Sequence, residues 1–197
     1  MFHVFPEERA LVIETNNPWL LLQKIPAAFP LTPTIVGMPH DVDTVARLTT
    51  YLRIDVPSPI LSYYRWPRER TMIPQPFAHQ IETAAFMVSN PHSYTLNDIG
   101  TGKTMSALWA ADYLMEAGAA KRALIVAPLS TLERVWGDAL FLNFQHRKFS
   151  VLHGTAERRK KLLAELRDFY VLNHDGVGVI QKELAVRQDI DILICDE

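Results

Sequence analysis

The sequence holds one cysteine, Cys195, which excludes an internal disulfide, and its seven histidines stand singly, offering no ligand cluster for structural zinc. Cys195 therefore reads as a small buried residue. Long apolar runs are also missing. Stretches such as Leu20 to Leu22 and Ala123 to Ala127 fall far short of the roughly 20 residues a membrane span needs, and no basic-then-apolar leader opens the chain. The expectation is a folded, cytoplasmic chain with no membrane partner. Internal repeats and low-complexity tracts are absent too. Neither sign of charge dominates, the net value being −2, but the balance is uneven: ten Lys or Arg stand against four Asp or Glu between Lys121 and Arg167, and the remainder is acidic. A phosphate-bearing partner fits that local excess, although a solvated helix face is the plainer reading of any one residue in it.

What is present is enough for a full domain and a small one: 197 residues, 48% of them hydrophobic. Residues 1–55 read as a small α/β unit with strands suggested at Phe2–Phe5, Ala10–Ile13 and Thr34–Met38. Asp41 can cap a helix whose Val42, Val45, Leu48 and Leu52 share one face. Residues 56–76 carry prolines at 57, 59, 67, 74 and 76 and read as a linker without regular structure, its Tyr63, Tyr64 and Trp66 packing onto the domain that follows. From residue 77 to 197, strand and helix patterns alternate, the pattern of a parallel sheet with helices on both faces. Strands fit at Ser93–Leu96, Ala123–Ala127, Phe149–Leu152, Phe169–Leu172 and Asp191–Cys195, with helices near 77–89, 103–117, 131–143, 155–167 and 177–186. Ser130 and Glu133 form a capping-box pair at the third of these helices, and Trp109 and Trp136 lie on apolar helix faces and read as core.

The strongest chemical signal is Asn97-Asp98-Ile99-Gly100-Thr101-Gly102-Lys103-Thr104, between an expected strand and an expected helix, which is the context a phosphate loop requires. Gly100 and Gly102 let the backbone curl so that amides point at a phosphate, and the helix N-terminus adds its positive end. Lys103 supplies a charge for the β and γ phosphates of ATP, and the Thr104 hydroxyl is placed to ligate Mg²⁺. Asn97 stands where the usual pattern has its first glycine; asparagine tolerates left-handed backbone angles. The second signal is the apolar run from Ile190 to Cys195 ending in Asp196-Glu197. Strands of a parallel sheet open onto one edge, so Asp196 is expected to hold Mg²⁺ there and Glu197 to polarise the attacking water as catalytic base.

From about residue 74 onward the chain resembles the superfamily-two helicases and translocases, and specifically their Swi/Snf branch. Phe77-Ala78-His79-Gln80 stands where that family has a glutamine that reads adenine; Asp98 to Thr104 is similar to its first motif and Asp196-Glu197 to the start of its second. Pro128-Leu129-Ser130 followed by Trp136 resembles the branch's motif Ia, and this spacing is what narrows the choice to the branch. His153-Gly154 with Arg158, then Phe169 to Asp175, are similar to the stretches where the family writes a glycine, an arginine and a strand leading into a DNA-facing loop. Asn173-His174 replaces the more usual Thr-Tyr or Ser-Tyr.

The resemblance implies a first RecA-like domain that binds ATP and Mg²⁺, with Gln80 on the adenine, since a side-chain amide can both donate and accept. It also implies a nucleic-acid partner, DNA in preference to RNA, on the loops after Ala127 and Leu172. Ser130, either a helix cap or a phosphate contact through the same helix N-terminus, would act there with Asn173, His174 and the run Arg158, Arg159, Lys160 and Lys161. The family's second RecA-like domain, in a longer chain, would supply the arginines that stabilise the transferring phosphate, so residues 1–197 alone should hydrolyse ATP feebly or not at all. The competing class is a non-motor P-loop protein, a nucleotide switch or a kinase-like transferase.

Overall fold

A computed structural model of the chain, describing residues 1–67 and 75–196, shows two compact units, one of residues 1–66 and 76–101 and one built on residues 102–196. In the first, β1 (Phe2–Phe5), β2 (Ala10–Glu14), β3 (Phe29–Pro30) and β4 (Ile35–Pro39) make an antiparallel sheet in the order β1-β2-β4-β3. Side chains alternate between faces, so Leu11, Ile13, Val36 and Met38 share one face. They are buried against Leu21 of α1 (Pro18–Lys24), Val45 of α2 (Val42–Arg47) and Leu48 in the wider turn Leu48–Leu52 that extends α2. Asp41 caps α2, accepting from the Thr44 N–H at 2.8 Å.

The proline-rich stretch is more ordered than its composition suggests. Helix α3 (Pro59–Tyr63) forms there because Pro59 occupies the first turn, where a missing N–H removes no helical bond. The Pro57 carbonyl can only accept, so His40 Nε2 donates to it at 2.8 Å, and Tyr63 Oη then donates to His40 Nδ1 at 3.0 Å. Tyr63 thus ties the stretch back to the preceding sheet. Pro74 lies outside the described residues. Helix α4 (Ala78–Ser89) completes the unit's regular structure. The strand expected at Ser93–Leu96 does not form: no strand of its unit pairs with it, and Tyr94 and Leu96 are each 82% exposed. Extended geometry over four residues needs a neighbouring ladder to hold it.

The second unit alternates α5 (Lys103–Glu116), β5 (Ala123–Ala127), α6 (Asp138–Asn143), β6 (Phe149–Val151), α7 (Ala156–Ala164), β7 (Phe169–Asn173), α8 (His174–Val179), α9 (Gln181–Ala185) and β8 (Ile192–Cys195). Its sheet is parallel, in the order β6-β7-β5-β8, and β5 and β7 are buried at every position, as both faces of a covered sheet require. The helix expected at 131–143 is split. A π-helical turn, Leu132–Gly137, precedes α6, and the Ser130/Glu133 capping box is not made. Thr131 takes the cap position instead, its hydroxyl donating back to the Pro128 carbonyl at 3.0 Å. Cys195 is exposed rather than buried, because β8 has β5 on one side only and its residues alternate between half-buried and exposed.

The strand ends lie level. Ala127 is opposite Asn173, Val126 is opposite Cys195, and the Asp196 N–H extends the ladder to the Val126 carbonyl at 2.8 Å. The loops after β5, β7 and β8 therefore leave from one edge of the sheet.

Candidate functional site

The first part of the phosphate-loop sequence is fastened to α4 by side chains. Gln80 Oε1 accepts from the Phe77 N–H at 3.0 Å, while Gln80 Nε2 donates to the Thr101 carbonyl at 3.1 Å, and His79 Nε2 donates to the same carbonyl at 3.0 Å. Both ends of the Gln80 amide are engaged. Asn97 does not use the left-handed backbone that its type permits; among the described residues, those with positive φ other than glycine are Arg9 and Arg53. Its Nδ2 instead donates to Thr83 Oγ1 at 2.9 Å, and that hydroxyl donates to the His79 carbonyl at 2.7 Å. Thr101 folds back on Asp98, its hydroxyl donating to the Asp98 carbonyl at 2.8 Å. An open groove of about 590 Å³ lies here, between His79, Thr83 and Phe86 of α4 and the segment Tyr94–Asp98; Gln80 is not among its lining residues. Asp98 and Ile99 are exposed.

Gly100 and Gly102 both hold left-handed backbone, with φ of 79° and 80°. A Cβ at Gly100 would meet no atom, so the angle rather than the space calls for glycine there. Gly102 is the N-cap of α5, and Lys103 and Thr104 open that helix half-buried. Asp196 follows β8, where its Oδ2 accepts from the indole Nε1 of Trp136 at 2.9 Å. Trp136 is 2% exposed, in keeping with its reading as core, but its polar atom is aimed at a carboxylate, which an apolar-face argument had no means to foresee. Glu197 lies outside the described residues.

The basic run separates by direction. Arg158, Lys160 and Lys161 are exposed on α7, whereas Arg159 is 9% exposed. Arg159 donates through Nε to the Gly154 carbonyl at 2.9 Å and through Nη1 to Asn173 Oδ1 at 2.8 Å. Asn173 is itself buried, so these two face each other and not solvent, while His174 is exposed beside them. Gly176 permits this approach, since a Cβ there would collide with Arg159 Nη1 and crowd Leu172 and Asn173. Lys160 pairs with Glu183 of α9 at 2.8 Å, and the hydrogen bond it donates to that carboxylate raises its pKa. Ser130 is exposed in the loop after β5.

One cluster had no sequence signal because its members are far apart along the chain. Asp112 of α5, 1% exposed, accepts from Arg147 Nε at 2.6 Å and His146 Nε2 at 2.9 Å, with Glu116 nearby. The arginine already supplies the positive charge a metal ion would bring, so the group is an ion-paired anchor for the turn at 146–147. Among the described residues no helix is long and apolar enough to cross a membrane.

No curated protein matches the sequence. The fold is similar to that of a Sulfolobus solfataricus SWI2/SNF2 ATPase core solved in complex with dsDNA, with a TM-score of 0.52 at 20% identity, over 68% of this chain and 28% of that one. The second unit is thus a RecA-like α/β domain, and the chain spans about 28% of the length of that relative. Residues 78–197 match the family described as type III restriction enzyme, res subunit. With more than half of its length in that match, the chain belongs to the type III restriction enzyme res-subunit family, a helicase-type ATPase family.

Proposed function

We propose that this chain is the nucleotide-binding half of a DNA-dependent, Swi/Snf-like motor that couples ATP hydrolysis to movement on nucleic acid. The observation that carries the reading is the pair of left-handed glycines, Gly100 and Gly102, opening a long helix at Lys103-Thr104 within a helicase-type family match. A backbone curled in that way turns amides inward, and the helix start adds partial positive charge. Lys103 then serves the terminal phosphates. Thr104 and Asp196 offer a hydroxyl and a carboxylate, the hard oxygen donors that suit Mg²⁺. The bound ion would neutralise charge gathering on the phosphate oxygens. Glu197 would accept a proton from the attacking water. Gln80 already donates to a carbonyl and accepts from an N–H. An adenine edge presents the same two partners, so it can replace them one for one.

For nucleic acid, the exposed candidates are Ser130, His174, Arg158, Lys160 and Lys161, at or beside the edge where the sheet loops emerge. Arg159 and Asn173 act behind them, shaping the loop after β7. A second RecA-like domain would close on the nucleotide and supply transition-state arginines. The deciding experiment is ATP turnover by the full-length protein with and without duplex DNA. Stimulation of tenfold or more is expected, on the general scale of closure-dependent catalysis. Turnover indifferent to DNA and RNA would sink the motor and favour a nucleotide switch or a kinase-like transferase.

A further inference from the structure

We infer that Trp136 is a positioning residue for the metal-binding carboxylate: its indole N–H fixes Asp196 from the same turn that follows the nucleic-acid-facing loop. The inference rests on the reading of Asp196 as the Mg²⁺ ligand. The indole nitrogen is a donor only, and Trp136 is 2% exposed, so its N–H must find a partner inside the protein. The partner is one oxygen of Asp196, at 2.9 Å. A carboxylate held by one oxygen loses its rotation about the Cβ–Cγ bond, and its other oxygen keeps its capacity for a cation. Outer-shell donors of this kind commonly set the orientation and affinity of a metal ligand.

The backbone makes the hold firm. The Trp136 N–H reaches five residues back to the Thr131 carbonyl at 3.1 Å; the N–H and the hydroxyl of Thr131 both donate to the Pro128 carbonyl at 3.0 Å. Pro128 follows the end of β5, and the Asp196 N–H returns to β5 at the Val126 carbonyl, at 2.8 Å. Strand, loop, wide turn, indole and carboxylate thereby form a closed circuit of hydrogen bonds. A displacement of the Pro128–Ser130 loop must shift the turn, and with it the indole that holds Asp196. Wide turns of this type recur where a helix is shaped for a task other than packing. A tryptophan that merely filled the core would need its ring and not this particular N–H.

The test separates ring from N–H. In the full-length protein, Trp136 is replaced by Phe and, by site-specific incorporation, by β-(3-benzothienyl)alanine, an isostere with sulfur in place of the N–H. Binding of Mn²⁺, as a probe for Mg²⁺, is measured by electron paramagnetic resonance with ATP present, next to metal-free ATP affinity and the thermal midpoint. The isostere should weaken Mn²⁺ binding about tenfold, the lower end for loss of an outer-shell partner, and leave metal-free ATP affinity and the midpoint in place. If the isostere binds Mn²⁺ as the natural protein does, the positioning role is overturned, even where Trp136→Phe is impaired through packing. Asp196→Asn is the reference. Should it leave Mn²⁺ affinity unchanged, Asp196 is not the ligand, and the functional reading fails along with the inference; a loss in Asp196→Asn without one in the isostere defeats the positioning role alone.

Discussion

The two edges of the parallel sheet are built differently. Where the strands begin, charged groups are bound densely to one another. Asp189 accepts from Arg187 Nε at 2.6 Å and Nη2 at 3.0 Å and from Arg122 Nη1 at 2.6 Å, and Arg187 reaches on to the Tyr170 hydroxyl at 2.9 Å. Tyr170, fully buried, donates from its own hydroxyl to the Glu165 carbonyl; Arg167 pairs with Glu165 and donates to the Ser150 hydroxyl. Asp191 and Asp168 accept from the backbones of Lys121 and Lys148 at 2.7 Å. Where the strands end, two side chains are each held from one side by a buried donor: Asp196 by Trp136, Asn173 by Arg159. Satisfied charges stabilise a fold but have little left to offer a ligand; groups oriented and only partly satisfied are ready for one. On the proposed reading, cohesion and chemistry occupy opposite ends of the same strands.

Mutations at the two edges should therefore have opposite signatures. The largest effect expected is that of Glu197→Gln, which should keep ATP binding but lower turnover of the full-length protein by about 10², the scale of general-base removal. A steady-state assay beside a nucleotide titration checks it, and retained turnover would give the water to another residue. Next, at the incoming edge, Asp189→Asn should cost about 2 kcal/mol through lost charged hydrogen bonds, lowering the thermal midpoint by about 5 °C, with ATP affinity untouched. The Arg187 hydrogen bond, ahead of other causes, holds the Asp189 pKa below its ordinary value. Its contribution is then fully present above the unfolded pKa of about 3.9 and disappears as pH falls through the lower folded value. The midpoint difference between natural protein and variant should accordingly be full at pH 7 and close in acid; a constant difference would mean Asp189 acts by packing. Lys103→Ala should weaken ATP·Mg²⁺ binding by at least tenfold, about 1.4 kcal/mol, in calorimetry. The smallest effect concerns salt. Replacing Arg158 and Lys161 by Ala should make the slope of log affinity for duplex DNA against log salt shallower by about 1.8, two phosphate contacts' worth, whereas Arg159→Met should lower stability with less effect on the slope. Equal slopes for all variants would mark α7 as a solvated face.

Much of the fold was legible because periodicity is local. Three of the four N-terminal strands and the Asp41 cap stand where alternation and side-chain chemistry put them, the two-residue β3 being too short to show alternation, and β5, β7 and β8 follow from apolar runs. What was not legible depended on distant partners. Ser93–Leu96 has strand composition but no ladder in its unit, and Cys195 has core composition but sits on a strand paired on one side. Arg158 to Lys161 read as one basic run, yet a helix turns about 100° per residue, so Arg159 points inward to Asn173 while its neighbours point out. Within the candidate site, the glycine angles were legible from residue type; the Trp136–Asp196 bond, across sixty positions, was not.

The wide turn at Leu132–Gly137 makes the outgoing edge a matter of counting as well as chemistry. It accommodates one residue more than an α-helical turn between Thr131 and the indole. Tightening it so that the ladder closes four back instead of five, with every residue kept, would swing Trp136 by about 100° away from Asp196, one α-helical step. The indole's direction is set by the width of this turn, so changes that convert it to an ordinary α-helical turn are those to which the carboxylate's orientation is most exposed.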